Sequence, residues 1–351
     1  MARIAVAMMR GARGASTEPR DRTGATRPRG HLFDEMFSPV YDESSLDAAP
    51  AALRLMNRRG PPSVQLALEV HRRRDEYDAI VTWGERLSLA LMAIQWLTRQ
   101  GKPHVPMLYW FSKPDVRLPM RAFGKSLRAI VTWTSVQRRF AIEELGFAPE
   151  KIHLVKHHVD QIFWSPRERP AEMICSVGRE MRDYETLIEA LRGTTLRCHI
   201  AADHVRVNRR VLLHRQVSAK EFAAHAGPNL TVGAMTLLDL RELYANSLFV
   251  VVPLLKSDTD NGVTVILQAM AMGKTVICSR TEGQVDVIQD GVTGLYVRQG
   301  DPDALRAAMV ALWNDPARAR AMGERARKYI EEHHTLEKFC RDVKAAVEAS
   351  L

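Results

Sequence analysis

Short unbroken apolar runs alternate along this chain with longer stretches in which apolar positions recur every three to four residues. The first pattern reads as strands buried on both faces and the second as helices packed on one face. Their regular alternation predicts βα units and a parallel sheet. In the first half the strand-like runs are RIAVAMM from Arg3, AIVTW from Ala79, VPMLYW from Val105, AIVTWT from Ala129 and IHLVK from Ile152. Helical stretches between them include PPSVQLALEVHRRRDE and SVQRRFAIEELG, the latter expected to be capped by Ser135 and closed by Gly146. After VDQIFWSPRERP, whose Pro166 and Pro170 suggest a linker, the alternation starts again. MICSVG, RCHIAA, LTVG, LFVVVPL, TVICS and GLYV read as strands, separated by helices such as DYETLIEAL, LLDLRELYANS and DPDALRAAMVALW. The fold class is therefore α/β, with two consecutive Rossmann-like domains, expected at 1–164 and 165–330, and a C-terminal helix over 331–351. Gly14–Gly30, rich in Gly, Pro, Thr and Arg, reads as a mobile loop above the first strand.

Composition narrows the class without naming a function. Of 351 residues, 46% are hydrophobic and 26% charged, ordinary globular usage, and the length suits two domains. The four cysteines (Cys175, Cys198, Cys278, Cys340) lack pairing or zinc-finger spacing, which argues against a disulfide frame and fits a reducing cytoplasm. The apolar run Ile4–Met9 ends at Arg10 and is expected to be a strand rather than a leader. LSLALMAIQWL, the longest apolar stretch, is far short of the roughly 20 residues that span a bilayer. The net charge of +9 is uneven: 25 Lys/Arg stand against 17 Asp/Glu up to Phe163, and 25 against 24 beyond it. A basic first half suits an anionic partner, a phospholipid surface or an anionic or lipid-linked substrate, or simply a solvated basic surface.

The segment with the most chemistry is LFVVVPLLKSDTDNGVTVILQAMAMG, from Leu248 to Gly273. A buried strand runs into a polar loop, an Asn-Gly turn and then an apolar stretch too long for a strand, which must be a helix. Strand, Gly-containing loop and helix N-terminus together present unpaired N–H groups at a sheet's C-terminal edge, an arrangement suited to phosphate. Asn261 and Gly262 permit the turn, and the amides of Val263, Thr264 and Val265 would face the ligand. An ordinary βα loop would show the same pattern. Asp258-Thr259-Asp260 also spells Asp-x-Asp, which could hold a divalent cation against a diphosphate.

The stretch DNGVTVILQAMAMGKTVICSRTEGQVDVIQDGVTGLYVRQGDPDAL resembles the donor-site signature of the retaining GT-B glycosyltransferases of family 4, the glycosyl transferases group 1. Upstream, EKIHLVKHHVDQIFWSP resembles their interdomain segment and ICSVGREMRDYETLIEAL their strand and Gly-Arg motif, so the likeness runs from about Ala129 onward. It implies two Rossmann-like domains facing each other across a cleft, with a first domain that binds the acceptor, a second that binds the nucleotide-sugar, and a C-terminal helix that returns toward the first. It also implies transfer of a sugar from a nucleotide-diphosphate donor, UDP-sugar favoured and GDP-sugar possible, to an acceptor hydroxyl with retention. By the same resemblance Gly178 and Arg179 face the donor diphosphate, and Arg182 takes the place of the motif Lys at a shortened spacing. Asp260 and Gln268 occupy the positions of the paired glutamates, where the second carboxylate grips ribose hydroxyls. Glutamine at 268 keeps the size and loses the charge, leaving one acceptor oxygen and an amide donor. With arginines and helix amides supplying the positive field, neither a metal nor another cofactor is expected.

On the acceptor side, MRGARG, with Gly11 and Gly14, resembles the Gly loop that brings the acceptor near the donor. A dinucleotide fingerprint is incomplete there. Glu85 follows a strand's C-terminal end, where ligands gather in open α/β sheets. Ser112, after Phe111, stands where related enzymes often carry a His. His157 and His158, adjacent in sequence, read as hinge residues rather than metal ligands. KPDVRLPMRAFGKSLR interleaves cations with apolar residues and suits a membrane surface, an anionic acceptor or solvent. Other readings remain: another GT-B activity such as an epimerase or phosphorylase, or a catalytically weak sugar-nucleotide-binding partner. Nucleic acid is not an expected ligand, since no basic and aromatic stacking module recurs.

Overall fold

The structure, a computed structural model, describes residues 2–10, 21–47, 49, 60–202, 204–207, 215–218 and 228–351. The chain divides into two compact units, the first made of Met1–Arg20, Gly30–Lys156 and Glu337–Leu351, the second of Asp21–Arg29 and His157–Leu336.

Every apolar run read as a strand is one. In the first unit β1 (Ile4–Met8), β2 (Val40–Tyr41), β3 (Ala79–Trp83), β4 (His104–Met107), β5 (Ile130–Thr132) and β6 (Ile152–Leu154) form a parallel sheet of order β2-β1-β3-β4-β5-β6. In the second, β7 (Met173–Val177), β8 (Cys198–Ala201), β11 (Leu230–Gly233), β12 (Ser247–Val252), β13 (Thr275–Arg280) and β14 (Gly294–Arg298) form a parallel sheet of order β11-β8-β7-β12-β13-β14. Between β8 and β11 lies an antiparallel pair, β9 (His204–Val207) and β10 (Arg215–Ser218).

The second sheet shows why its strands read as unbroken apolar runs. Cys175, Val250, Val252, Val276 and Cys278 pack into a core on one face, while Ile174, Phe249, Val251 and Ile277 pack into another on the opposite face. With both faces covered, period-two alternation disappears. All four cysteines are buried and free.

The structure departs from the pattern at several points. The units change at 156/157, not 164/165, because VDQIFWSP is no surface linker: Phe163 and Trp164 are 0% and 2% exposed and join the second unit's core. The C-terminal segment breaks at His334, between the helices Pro316–His333 and Leu336–Glu348, and the first unit takes up the chain again at Glu337. The Ser135–Glu143 helix is capped by Thr134, whose hydroxyl accepts from Gln137 N at 3.2 Å, rather than by Ser135.

Within Gly14–Gly30, residues 21–29 are pinned to the second unit instead of lying free. Arg29 donates from its guanidinium to both oxygens of the buried Asp160, at 2.7 Å to Oδ1 and 3.2 Å to Oδ2, and Arg241 donates to Ala25 O at 2.9 Å. Residues 14–20 of that loop lie outside the described residues. His157 and His158 stack with centroids 5.1 Å apart, and a ring nitrogen of His334 lies 2.7 Å from His157 O. Burial pushes the pKa of His157 down to about 4 and that of His158 well below its ordinary value, so both are neutral packing groups at this crossing.

Candidate functional site

In the second sheet the strand order reverses at β7, which pairs with β8 on one side and β12 on the other. Open α/β sheets bind ligands in the crevice at such a switch point, outside the strands' C-terminal ends. Two loops meet there, Gly178–Asp183 after β7 and Pro253–Gly262 after β12. They are laced by backbone bonds, Leu255 N to Met181 O at 2.9 Å and Asp183 N to Pro253 O at 3.0 Å, with an antiparallel bridge between Arg182 and Leu254.

Arg182 lies at the centre of this junction. Its residue is 5% exposed, and its guanidinium donates from Nε to Val177 O at 3.0 Å and from Nη1 to Glu180 O at 2.8 Å. Nη2 occupies the space that a side chain at Gly178 would need, 2.7 Å from the position of a Cβ there. Nη1 lies 3.5 Å from the corresponding point at Gly262. Among the described residues no carboxylate pairs with Arg182, and burial lowers its pKa. A cation is thus held out of water with only carbonyl dipoles for company, a costly arrangement unless an anion completes it.

A helix adds to the same field. Gly262, at φ +86°, turns the chain into the Val263–Ala271 helix, a conformation in which a Cβ would meet Val252 Cγ1 at 2.9 Å. Of the three amides expected to face a ligand, that of Val263 is spent on Asp260 O at 3.1 Å, whereas the N–H groups of Thr264 and Val265 make no backbone hydrogen bond among the described residues. The positive end of the helix and Arg182 therefore share one crevice, which favours phosphate.

The loop before the helix is braced from outside. Ser257 Oγ accepts from Asn261 Nδ2 at 2.6 Å and from Thr259 N at 3.2 Å. From beyond β13, the fully buried Gln284 donates to Asp260 O at 3.2 Å and Asn261 O at 3.1 Å, and Gly283 N donates to Ser257 O at 3.1 Å. Gly283 presses directly on the Thr259 backbone. Asp260 is buried, with Oδ1 3.3 Å from the Thr259 hydroxyl. Gln268, one turn into the helix, accepts through Oε1 from the buried Tyr244 hydroxyl at 3.2 Å, leaving its amide group as the free end. Arg179 is exposed at the mouth of the β7 loop. Among the described residues no group of three or more His, Cys, Asp or Glu could hold a metal ion, and Asp258-Thr259-Asp260 joins none.

Sequence reasoning brought Gly178, Arg182, Asp260, Asn261, Gly262 and the helix start to this crevice. It missed Gln284, Gly283 and Tyr244. A Gly-Gln pair after an apolar run was the only trace of the brace, and Tyr244 looked like any core aromatic.

Of the residues expected on the acceptor side, Glu85 and Ser112 lie in the first unit. Gly11 and Gly14 fall outside the described residues. That sheet switches between β1 and β3, and Glu85 follows β3 directly. Its Oε1 accepts from Tyr109 N at 3.0 Å and Trp110 N at 3.2 Å, holding the chain after β4. Ser112 is engaged by the fully buried Gln137, whose Oε1 accepts from Ser112 N at 3.1 Å and whose Nε2 lies 3.2 Å from Ser112 Oγ. Both residues therefore shape the β4 loop.

Burial raises the Glu85 pKa, with the two amides opposing the shift. A carboxyl whose folded pKa exceeds its unfolded one binds more protons when folded, so its contribution to stability falls as pH rises from the ordinary carboxylate range through the raised value. The Glu85→Gln variant, which keeps an acceptor oxygen, is expected to lose that component. Chemical denaturation between pH 4 and 8 should show a wild-type minus variant difference that shrinks as pH rises. A flat difference refutes it.

Comparisons with known proteins bear on the same region. The profile of the family Glycosyl transferases group 1 matches residues 176–315. The chain is 24% identical over 252 residues to the MMP alpha-(1->4)-mannosyltransferase of Mycolicibacterium hassiacum, covering 67% of this chain and 59% of that protein. It is 38% identical over 86 residues to the N-acetyl-alpha-D-glucosaminyl L-malate synthase of Bacillus anthracis, 24% of this chain and 23% of that one. The chain thus spans at most 59% of the length of these curated relatives. Among solved structures it resembles Anabaena Alr3699/HepE in complex with UDP, at TM-score 0.72 and 13% identity over 99% of this chain and 100% of that one. It also resembles sucrose-phosphate synthase from Thermosynechococcus elongatus, at TM-score 0.67 and 16% identity over 82% and 78%. Residues 176–315, which contain the crevice, are thus similar to the Glycosyl transferases group 1 family, within a chain that has the fold of GT-B glycosyltransferases.

Proposed function

We propose that this chain transfers a sugar from a nucleotide-diphosphate sugar to an acceptor hydroxyl, without a metal and with retention of anomeric configuration. The observation that carries the donor side is the buried Arg182, which has no carboxylate partner among the described residues and lies beside the open amides of Thr264 and Val265. Charge grows on the diphosphate as the sugar leaves, and fixed donors in a dry site stabilise it without reorganising. Arg179, exposed at the loop mouth, is the second cation for that diphosphate. Asp260, held beside the helix start, is suited to accept hydrogen bonds from donor hydroxyls, and Gln268 offers its amide group to the ribose. No nucleophile or general base is assigned. In a front-face reaction the departing phosphate oxygen takes the acceptor's proton as the new glycosidic bond forms.

UDP is the favoured nucleoside diphosphate, since HepE, of like fold, is described in complexes with UDP and with UDP-glucose. The basic first unit suits an acceptor that is anionic or carried on a lipid at a membrane surface. No helix among the described residues is long and apolar enough to cross a membrane. A second reading, a weak sugar-nucleotide binder, draws on Gln268, whose only acceptor oxygen is already committed to Tyr244.

Calorimetric titration with UDP, GDP, ADP, dTDP and CMP, with and without EDTA, tests the donor assignment. UDP binding that survives EDTA is expected. Gln268→Glu should tighten UDP about tenfold, because one carboxylate oxygen can keep Tyr244 while the other accepts from ribose. Binding by no nucleotide, or only with a divalent cation, would refute the proposal. Sugar transfer from UDP-sugars then separates the enzyme from the weak binder.

A further inference from the structure

The three most exposed large apolar side chains among the described residues all lie on two helices of the first unit: Leu97 at 71%, Leu118 at 67% and Trp96 at 58%. Trp96 and Leu97 occupy the last turn of the Glu85–Thr98 helix and Leu118 the middle of the Pro114–Phe123 helix. The helices pack together, with the Trp96 and Phe123 rings 5.1 Å apart. Side chains of this size are seldom left in water at the C-terminal turn of a helix whose Leu87, Leu91 and Met92 are buried.

The charge around them is one-sided. From Arg86 to Arg128 the chain holds eight Lys/Arg and a single carboxylate, Asp115, which pairs with Lys113 at 3.7 Å. Arg99, Arg117, Arg121, Lys125 and Arg128 are exposed. Arg121 and Arg128 donate to the backbone oxygens of Glu144 and Leu351, at 3.0 Å each. A soluble anion would be served by the cations alone and gives no reason for the exposed Trp and Leu. A partner protein offers no reason for so uniform a charge. An anionic bilayer accounts for both, since apolar tips enter the acyl boundary, an indole prefers the headgroup level and cations meet lipid phosphates.

We propose that the surface built from the C-terminal turn of the Glu85–Thr98 helix and the Pro114–Phe123 helix docks on an anionic phospholipid membrane, inserting Trp96, Leu97 and Leu118. This deepens the reading of a lipid-borne acceptor but uses residues remote in sequence from the crevice, so the two can fail separately. The purified chain is sedimented with vesicles of phosphatidylglycerol and phosphatidylcholine, and with phosphatidylcholine alone, while UDP titration monitors the donor site. Binding to the anionic vesicles at least tenfold stronger is expected.

Trp96→Ser with Leu97→Ser should reduce that binding about tenfold or more, and Arg117→Glu with Arg121→Glu by about as much, both with UDP affinity unchanged. The substituted positions are exposed, and melting curves check that each variant folds. Wild-type fluorescence should shift to the blue with anionic vesicles, and the shift should shrink in Trp96→Phe. Vesicle binding unaffected by the Trp96/Leu97 pair, or lost only through charge reversal, would overturn insertion and leave a soluble polyanion as the ligand. Equal binding to both vesicle types would overturn the charge argument.

Discussion

Replacing Arg182 by methionine is expected to abolish measurable UDP binding, at least a hundredfold loss, while shifting the melting temperature of the ligand-free chain by no more than a few degrees. The two effects separate because of what surrounds the guanidinium. Removing a buried Arg that is paired with a carboxylate strands the partner charge, at a cost of about 3–5 kcal/mol. Arg182 has no such partner, and its hydrogen bonds end on the carbonyls of Val177 and Glu180. Methionine removes a desolvated charge, which offsets the loss of those two bonds, so the net change in the free protein should stay within about 2 kcal/mol. With diphosphate present the balance changes. A charge-assisted bond to phosphate in a dry site is lost, on the order of 3 kcal/mol. Differential scanning fluorimetry with and without UDP reads both quantities. Near-normal UDP stabilisation in the variant would show that the crevice binds its anion elsewhere, and strong destabilisation of the ligand-free form would make Arg182 a structural residue.

The second large effect is expected at Gly283. A Cβ there would press on the backbone N, C and O of Thr259, atoms that cannot rotate aside as a side chain can. Gly283→Ala must therefore push the Ser257–Gly262 loop away from the segment that braces it. Gln284, whose amide holds Asp260 O and Asn261 O, would move with it. Destabilisation of roughly 2–3 kcal/mol is expected from the overpacking. UDP affinity should drop more than tenfold, since the start of the Val263–Ala271 helix is set by that loop. Glu282→Ala provides the control: its side chain is 64% exposed, faces only Lys256 at 3.7 Å, and should change stability by less than about 0.5 kcal/mol. Guanidinium denaturation and UDP titration of both variants decide the matter. A wild-type midpoint for Gly283→Ala would mean the loop is not braced there.

These expectations depend on relations that the chain shows unevenly. Val250 to Val252 could be read as a buried strand because a parallel strand covered on both faces must be apolar at every position. Gly262 could be read as the entry to a helix because it follows a strand and precedes a sustained apolar stretch ending at Gly273, which has φ +71°. The strand order could not be read. A run of residues carries its own burial but not the identity of its neighbour, so nothing local shows that β7 lies between β8 and β12.

The same limit explains the errors. Val40–Tyr41 is too short to form a pattern, and Phe163 and Trp164 sit between prolines and charges that suggest a linker although both rings are buried. Arg29 looked like part of a loose Arg-rich loop, and only its fork onto Asp160, 131 residues away, shows that it is anchored.

Glu85 and Arg182 show the division most plainly. Residue types and order along the chain determined two parallel α/β units, the helix that follows Asn261-Gly262, and the likeness to a glycosyltransferase family. Tertiary structure decided which polar groups are spent on the fold. It committed Glu85 to the amides of Tyr109 and Trp110, Gln268 Oε1 to Tyr244 and the Val263 amide to Asp260. It left Arg182 buried beside a helix N-terminus with no carboxylate partner among the described residues. The physical reason is that burial and pairing belong to sets of residues brought together from distant parts of the chain. A sequence states which groups can carry charge, and only packing settles which of them still need a partner.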